Sequence, residues 1–146
     1  MRLAYWLMCL QWRLFRPVKL GVRIILLNED GVVLVRHRYQ PGWHFPGGAV
    51  ERNETTAAAA LREAYEEAGA QVSGAPELMG IYSSFSHGKS DHVVTYIART
   101  FRLGPPKDSW EIAECRVFAL DALPHDLSPN ARLRLNELLR GKTIQR

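Results

Sequence analysis

Apolar and polar positions change rhythm several times along this chain. Residues 19–27, "KLGVRIILL", are aliphatic and rich in β-branched side chains, which predicts a strand. Residues 28–31, "NEDG", contain Asp-Gly, a strong hairpin signal, so residues 32–38, "VVLVRHR", read as the return strand. "YQPGW" reads as a loop, and "HFPGG" as a short strand and a turn. Residues 54–68 then take a helical period, with Asn53 as the expected N-cap, Glu54 in the first turn and Gly69 as the stop. Residues 77–86 and 91–103 return to strand character and are joined by "SHGKS". "GPPKDSW" is a connector and "ECRVFAL" a short strand. Ser128 and Pro129 open a last helix over residues 130–140, with Leu133, Leu135, Leu138 and Leu139 as its apolar residues and Gly141 as its stop. Hairpins flanked by helices predict a layered domain of the α/β or α+β class.

The N-terminus follows a different pattern. "MRLAYWLMCLQWRLFRPV" has one early arginine, an apolar run from Leu3 to Leu10, then Gln11, Arg13 and Arg16, and Pro17 should end any helix there. No small-x-small cleavage site is present, so a secretion signal is a poor reading. No apolar run reaches the ~20 residues that span a bilayer. An amphipathic helix over residues 1–17 is expected, with Trp6, Trp12 and Phe15 as bulky anchors, preceding a domain at 18–146. Residues 1–16 of such a helix can contact a membrane surface or pack on the domain or on a second copy in a homodimer. Packing is the preferred expectation, because a solvated helix with this much apolar surface is a liability.

Composition adds limits rather than an identity. A chain of 146 residues suits one domain and can bury a core without staples. Cys9 and Cys115 are far apart and form neither a disulfide framework nor a metal spacing, which fits a reducing, cytoplasmic setting. No His/Cys cluster suggests zinc. A net charge of +4 suits anionic partners such as nucleotides, nucleic acid or a membrane surface. There is no DNA-binding motif and no aromatic-basic RNA-binding repeat.

The central helix carries the chemistry. At about 100° per residue, Ala57, Ala60, Leu61, Ala64 and Ala68 share one arc, and Glu63, Glu66 and Glu67 fill the next. Small alanines let the helix approach a sheet closely and leave the acids at the rim of that packing. Like charges three and four residues apart cost an isolated helix ~0.2–0.5 kcal/mol per pair. A hard divalent cation, Mg²⁺ or Mn²⁺, would offset that repulsion and leave positions open for water and phosphate oxygens. Arg62 can reach Glu66 one turn on. Taken alone, "EAYEEA" reads better as a solvated helix face, and Gly47-Gly48 only as a turn.

The spacing joins them. From Gly48, five residues lead to Glu54, seven more to Arg62-Glu63, then Ala64, one residue, Glu66-Glu67, one residue, Gly69 and Ala70. This resembles the signature of the Nudix hydrolases, with every required Gly, Glu and Arg present. The departure is in size, since Ala64 and Ala70 stand where a bulkier aliphatic is usual, which bears on local packing. The motif covers 48–70, and the flanking strands and "FPGG" also resemble the family. The resemblance implies a mixed β-sheet sandwiched between helices. It also implies hydrolysis of the pyrophosphate in a nucleoside diphosphate linked to another moiety, such as a nucleotide sugar. By the same resemblance Glu63, Glu66 and Glu67 hold the metal, the Gly48 carbonyl joins them, and Arg62 with Glu54 organises the helix and the loop before it. Gly47, Glu54 and Gly69 are structural positions of the motif.

A metal-bridged pyrophosphate still needs a base for its attacking water. Glu66 is the first candidate. Some family members use an acid from a later loop, and Glu111 and Glu114 in "WEIAECRVF" are available, Glu114 being equally readable as a surface residue on a strand edge. Glu51 could assist a second metal or cap a turn. Arg23, Arg36 and Arg38 lie on the first hairpin. Arg36 and Arg38 share a face and are candidates for phosphate, although strand-end arginines are more often solvated. Tyr39, Trp43 and His44 flank the glycine loop, where an aromatic can stack on a base or pack the loop. Phe85, His87, Lys89 and His92 are weaker candidates in a loop that could cover the site. Some branches of the family carry a proline or tyrosine at a set distance after the motif. Here that region reads "SSFSHGKS", which weighs against ADP-ribose-type and dinucleoside-polyphosphate-type substrates. A coenzyme A signature is not visible either. Two other classes stay open: a nucleotide-sensing module without useful turnover, and removal of pyrophosphate from RNA 5′ ends, which the positive charge permits.

Overall fold

A computed structural model describes residues 18–85, 90–107 and 110–141. The expected N-terminal helix and most of "SHGKS", including His87 and Lys89, lie outside these residues. The described chain runs β1 (Val18–Asn28), β2 (Gly31–His37), α1 (Thr56–Ala68), β3 (Ala70–Val72), β4 (Glu77–Ser84), β5 (Ser90–Ala98), β6 (Phe101–Leu103), β7 (Ile112–Phe118) and α2 (Pro129–Leu139). Five strands form one sheet in the order β4-β5-β1-β2-β7, and β3 pairs with β6 apart from it. The β1–β5 pair is parallel and the others antiparallel, so the sheet is mixed.

Alternation along the strands sends side chains to two cores. Val22, Ile24, Leu26, Val33 and Val35 meet Ala59, Ala60, Ala64 and Ala68 of α1, while Ile25, Leu27, Val32 and Leu34 meet Ala131 and Leu135 of α2. The sheet is therefore sandwiched between helices, as expected. The alanine face lets α1 lie close against the strands. In α2 only Ala131 and Leu135 are buried, and Leu133 and Leu139 face outward. Among the described residues no helix is long and apolar enough to cross a membrane.

Three local expectations change. The N-cap of α1 is Thr55, whose side chain accepts from Ala58 N at 3.1 Å. Asn53 instead turns the chain beforehand with φ 61°, a left-handed conformation that asparagine tolerates. Glu54 therefore stands ahead of the cap rather than in the first turn. The strand expected over 91–103 breaks at Arg99–Thr100 into β5 and β6, because Phe101–Leu103 leaves the main sheet to pair with Ala70–Val72. That short β3 directly after the helix was not expected. Three residues offer too little alternation to read.

β1 and β2 pair side by side only near their turn, at Leu27↔Val32 and Asn28↔Gly31. Where they part, the glycine loop fills the gap. Val22 N donates to Gly48 O (2.8 Å), Ile24 N to Pro46 O (3.0 Å), and Val35 and His44 exchange backbone hydrogen bonds of 2.9 Å. This wedge places Gly47 and Gly48 under α1.

Candidate active site

Arg62 is the hub of the acidic face of α1. Its Nε donates to Glu54 Oε1 at 2.8 Å, Nη2 to Glu54 Oε2 and the Ala49 carbonyl at 3.1 Å, and Nη1 to Glu63 Oε1 (2.8 Å) and Glu66 Oε2 (3.2 Å). Glu54 also accepts from Glu51 N at 3.0 Å, so it ties helix and preceding loop together. The hydrogen bond from Arg62, seconded by the Glu51 amide, holds the Glu54 carboxyl below its ordinary range. The Glu54 and Glu63 carboxylates hold Arg62 firmly cationic.

Glu67 is nearly enclosed, at 4% exposure. Its Oε2 accepts from Gly47 N at 3.0 Å, and its Oε1 lies 3.7 Å from the buried His37 Nε2. Burial pushes its pKa up to about 7 against the pull of the Gly47 N–H and Arg23, and Glu63 and Glu111 push the same way. Glu63 is also raised, first by burial and then by Glu66, with Arg62 opposing. Two hydrophilic groups thus sit in a low-dielectric rim where charge is costly. Gly48 lies under Glu63, where a Cβ would run into the carboxylate. The Gly48 carbonyl already accepts from Val22 N and keeps one lone pair.

Among the described residues no three acid, histidine or cysteine side chains converge on a preformed ion cage. The cause is visible: Arg62 takes Glu63 and Glu66, and the Gly47 amide takes Glu67. The donor chemistry nevertheless fits a hard divalent ion, being oxygen only, clustered and short of positive charge. Mg²⁺ needs only one or two carboxylates beside water and phosphate.

A cleft of about 980 Å³ opens between α2 and the sheet, and none of Glu63, Glu66 and Glu67 lines it. Tyr82, Ser84, Val93 and Thr95 line one side, and Asn130, Ala131 and Arg134 the other. Arg134 stacks 3.3 Å from the Tyr82 ring centroid and pairs with Glu137 at 3.1 Å. Arg23 belongs to both regions. It lines the cleft, donates to the carbonyls of Phe45 (3.1 Å) and Gly47 (3.0 Å), and acts electrostatically on Glu63 and Glu67.

The remaining candidates separate. His44 lines the cleft, its Nε2 donating to the Pro41 carbonyl at 2.9 Å. Arg36 turns to Asp126 (3.0 Å) and stacks on Trp43 (4.7 Å). Tyr39 is largely exposed with its ring 5.2 Å from that of His37, and its hydroxyl pKa is raised by partial burial and then by Glu111 and Glu67. Arg38 is exposed and its amide donates to Glu111 O at 2.8 Å. Glu114 is opposite Arg36 on β7 and pairs with Arg36 (3.9 Å) and Arg116 (2.6 Å), on the face away from α1. Its neighbour Cys115 points toward α1, and burial raises that thiol to about 11. Glu111 is the later acid whose charge reaches Glu67. His92 lies between Ser83 (2.8 Å) and Ser90 (3.2 Å). Sequence reasoning placed Arg23 on the first hairpin but preferred Arg36 and Arg38 for phosphate, and it did not single out Asp126 or Arg134, whose proximity to the site carries no local signal.

The model of the NUDIX domain matches residues 17–139. The chain belongs to the Nudix hydrolase family. An RNA pyrophosphohydrolase of Aeromonas hydrophila is 48% identical over 56 residues, 38% of this chain and 30% of that protein. The match thus spans less than a third of that relative. A putative 8-oxo-dGTP diphosphatase of Bacillus subtilis is 27% identical over 122 residues, 83% of this chain and 80% of its own length. Among solved Nudix structures, the Bacillus subtilis pyrophosphohydrolase aligns at TM-score 0.69 with 28% identity, covering 87% of this chain and 85% of that one. A MutT Nudix hydrolase from Burkholderia pseudomallei shares the fold at TM-score 0.73 and 23% identity, covering 84% and 98%. Nudix enzymes generally use divalent metal ions, so the acidic rim has a ready chemical reading.

Proposed function

We propose that this Nudix hydrolase cleaves the pyrophosphate linkage of a nucleotide with a divalent cation, Mg²⁺ or Mn²⁺, held by Glu63, Glu66 and Glu67. The observation that carries this is the position of Arg23, which joins the acidic rim to the cleft. A substrate with its nucleoside in the cleft would bring its phosphates past Arg23 to α1, and the cleft volume suits one nucleotide.

A bound cation would supply charge neutralisation at the diphosphate and Lewis acidity toward water. The chain's own residues do the rest. Glu67 is fixed by the Gly47 amide and Glu63 by Arg62, so both keep their places as charge arrives. Glu66 is the more exposed acid and can exchange Arg62 for a water proton, which makes it the proposed base. Glu111 is better placed than Glu114 to assist. Arg62 holds helix and loop in register through Glu54, and Arg23 meets phosphate charge.

The test is release of nucleoside monophosphate from nucleoside triphosphates, nucleotide sugars and dinucleotides with each ion. Turnover that Glu66→Gln abolishes supports the proposal. Tight binding without turnover across the set points to a sensing module instead. The similarity to RNA pyrophosphohydrolases and the +4 net charge favour a second reading, a 5′-triphosphate RNA end. Steep salt dependence with RNA but not with mononucleotides would select it.

A further inference from the structure

Arg36 and His37 are consecutive, with a register shift between them, and serve different regions. His37 lies beside Glu67. Arg36 reaches across 90 residues of chain to Asp126 Oδ2 at 3.0 Å. Asp126 lines the cleft and begins a segment stitched to the glycine-loop strand. Trp43 N donates to Asp126 O (3.0 Å), Ser128 N donates to Trp43 O (2.9 Å), and Trp43 and Leu127 form a parallel bridge. Ser128 then caps α2 by accepting from Ala131 N at 3.2 Å. The next residues of α2, Asn130, Ala131 and Arg134, make one wall of the cleft.

We infer that Arg36 is a positioning residue that sets the α2 wall of the cleft through Asp126, and so governs which nucleotide is accepted. The inference rests on the proposed function for its substrate and on the contacts above for its geometry. Arg36 stacks on Trp43, flanked by Arg116 at 5.9 Å from the same ring, and meets Glu114 at 3.9 Å. Its Nε is buried with no acceptor among the described residues. A buried donor without a partner costs stability, and an apolar chain of similar length would fill the space over Trp43 without that cost. A charge kept under those terms is better explained by what it holds than by the stability it adds.

The test is a double-mutant cycle on the full chain with Arg36→Met and Asp126→Ala, which removes the acceptor that an asparagine would keep. Each single variant should raise KM for the preferred nucleotide about tenfold, leave kcat within about twofold, and keep the thermal midpoint within a few degrees. The double variant should be no worse than Arg36→Met, since both changes break one link. Amide exchange at Trp43, Ser128 and Ala131 should quicken in both single variants without any substrate, so the link is tested even if no substrate in the set is turned over. If Asp126→Ala leaves KM and exchange at wild-type values while Arg36→Met does not, Arg36 acts by a route other than Asp126 and the inference fails. Effects that multiply in the double variant, or a fall in kcat with KM unchanged, overturn it as well.

Discussion

The carboxylate of Glu67, in the last turn of α1, accepts a hydrogen bond from the backbone amide of Gly47 at 3.0 Å. One side chain therefore fixes the glycine loop against the helix and also presents an oxygen at the acidic rim. Replacing Glu67 by Gln keeps an acceptor for Gly47 but removes the charge. Turnover should fall by at least two to three orders of magnitude, while the circular dichroism spectrum stays native. An active Glu67→Gln would remove Glu67 from the catalytic centre.

The same group gives a pH prediction with a definite sign. Burial raises the folded-state pKa of Glu67 to about 7, above the unfolded carboxyl near 4.5. The native state therefore keeps its proton while the unfolded state loses it. The contribution is fully present below about 4.5 and is lost as pH rises to about 7, by up to ~3 kcal/mol for a shift of this size. Metal-free protein should show a falling denaturation midpoint from pH 5 to 8. Glu67→Gln should flatten much of that slope, leaving the part due to Glu63, which is raised in the same direction. Added Mg²⁺ or Mn²⁺ should stabilise the protein more at pH 8 than at pH 5, because protons compete for the same oxygens.

Arg62 distinguishes a clamp from a mere surface charge. Its side chain is 24% exposed and donates to three glutamates and the Ala49 carbonyl. Arg62→Ala leaves Glu63 without its donor and Glu54 with only the Glu51 amide, and a cost of ~1–3 kcal/mol is expected. Arg62→Lys should recover part of the stability but little of the activity, since an ammonium lacks the planar fork that spans Glu54, Glu63 and Glu66. Chemical denaturation and steady-state kinetics on the two variants check both halves. Equal loss in each assay for Lys and Ala would show that charge without the fork recovers nothing, contrary to the expected partial rescue of stability.

How much of this was legible depends on how local the cause is. The cluster on α1, the stop at Gly69 and the two-sided strands follow from helical and strand periods, and the resemblance to the Nudix signature paired Glu54 with Arg62. The Thr55 cap was missed because Asn53 is an equally good capping residue, and only its left-handed φ shows that the chain is still turning there. The direction of Arg36 was not legible for a different reason. Alternation gives a side chain's face, but the Asp126 that meets it depends on the tertiary path of a loop 90 residues away. Glu111 and Glu114 illustrate the same limit, because Glu111 stands in the turn before β7 while Glu114 lies within that strand opposite Arg36, and only Glu111 acts on Glu67.

The two motif glycines should fail differently when changed to alanine. Gly47 has φ 155°, and a Cβ there would strike the Val22 carbonyl and the Arg23 backbone. Neither can move without opening β1, so Gly47→Ala should cost several kcal/mol, roughly the range of overpacked and strained sites. It should also break the amide contact to Glu67. At Gly48 the added Cβ meets the Glu63 carboxylate, a side-chain end that can swing aside. Gly48→Ala should therefore fold with a smaller loss, yet shift Glu63 away from Arg62 and weaken activation by Mg²⁺ or Mn²⁺. Metal titration of activity alongside thermal unfolding separates the two. If Gly48→Ala needs no more metal than wild type, Glu63 takes no part in holding the ion.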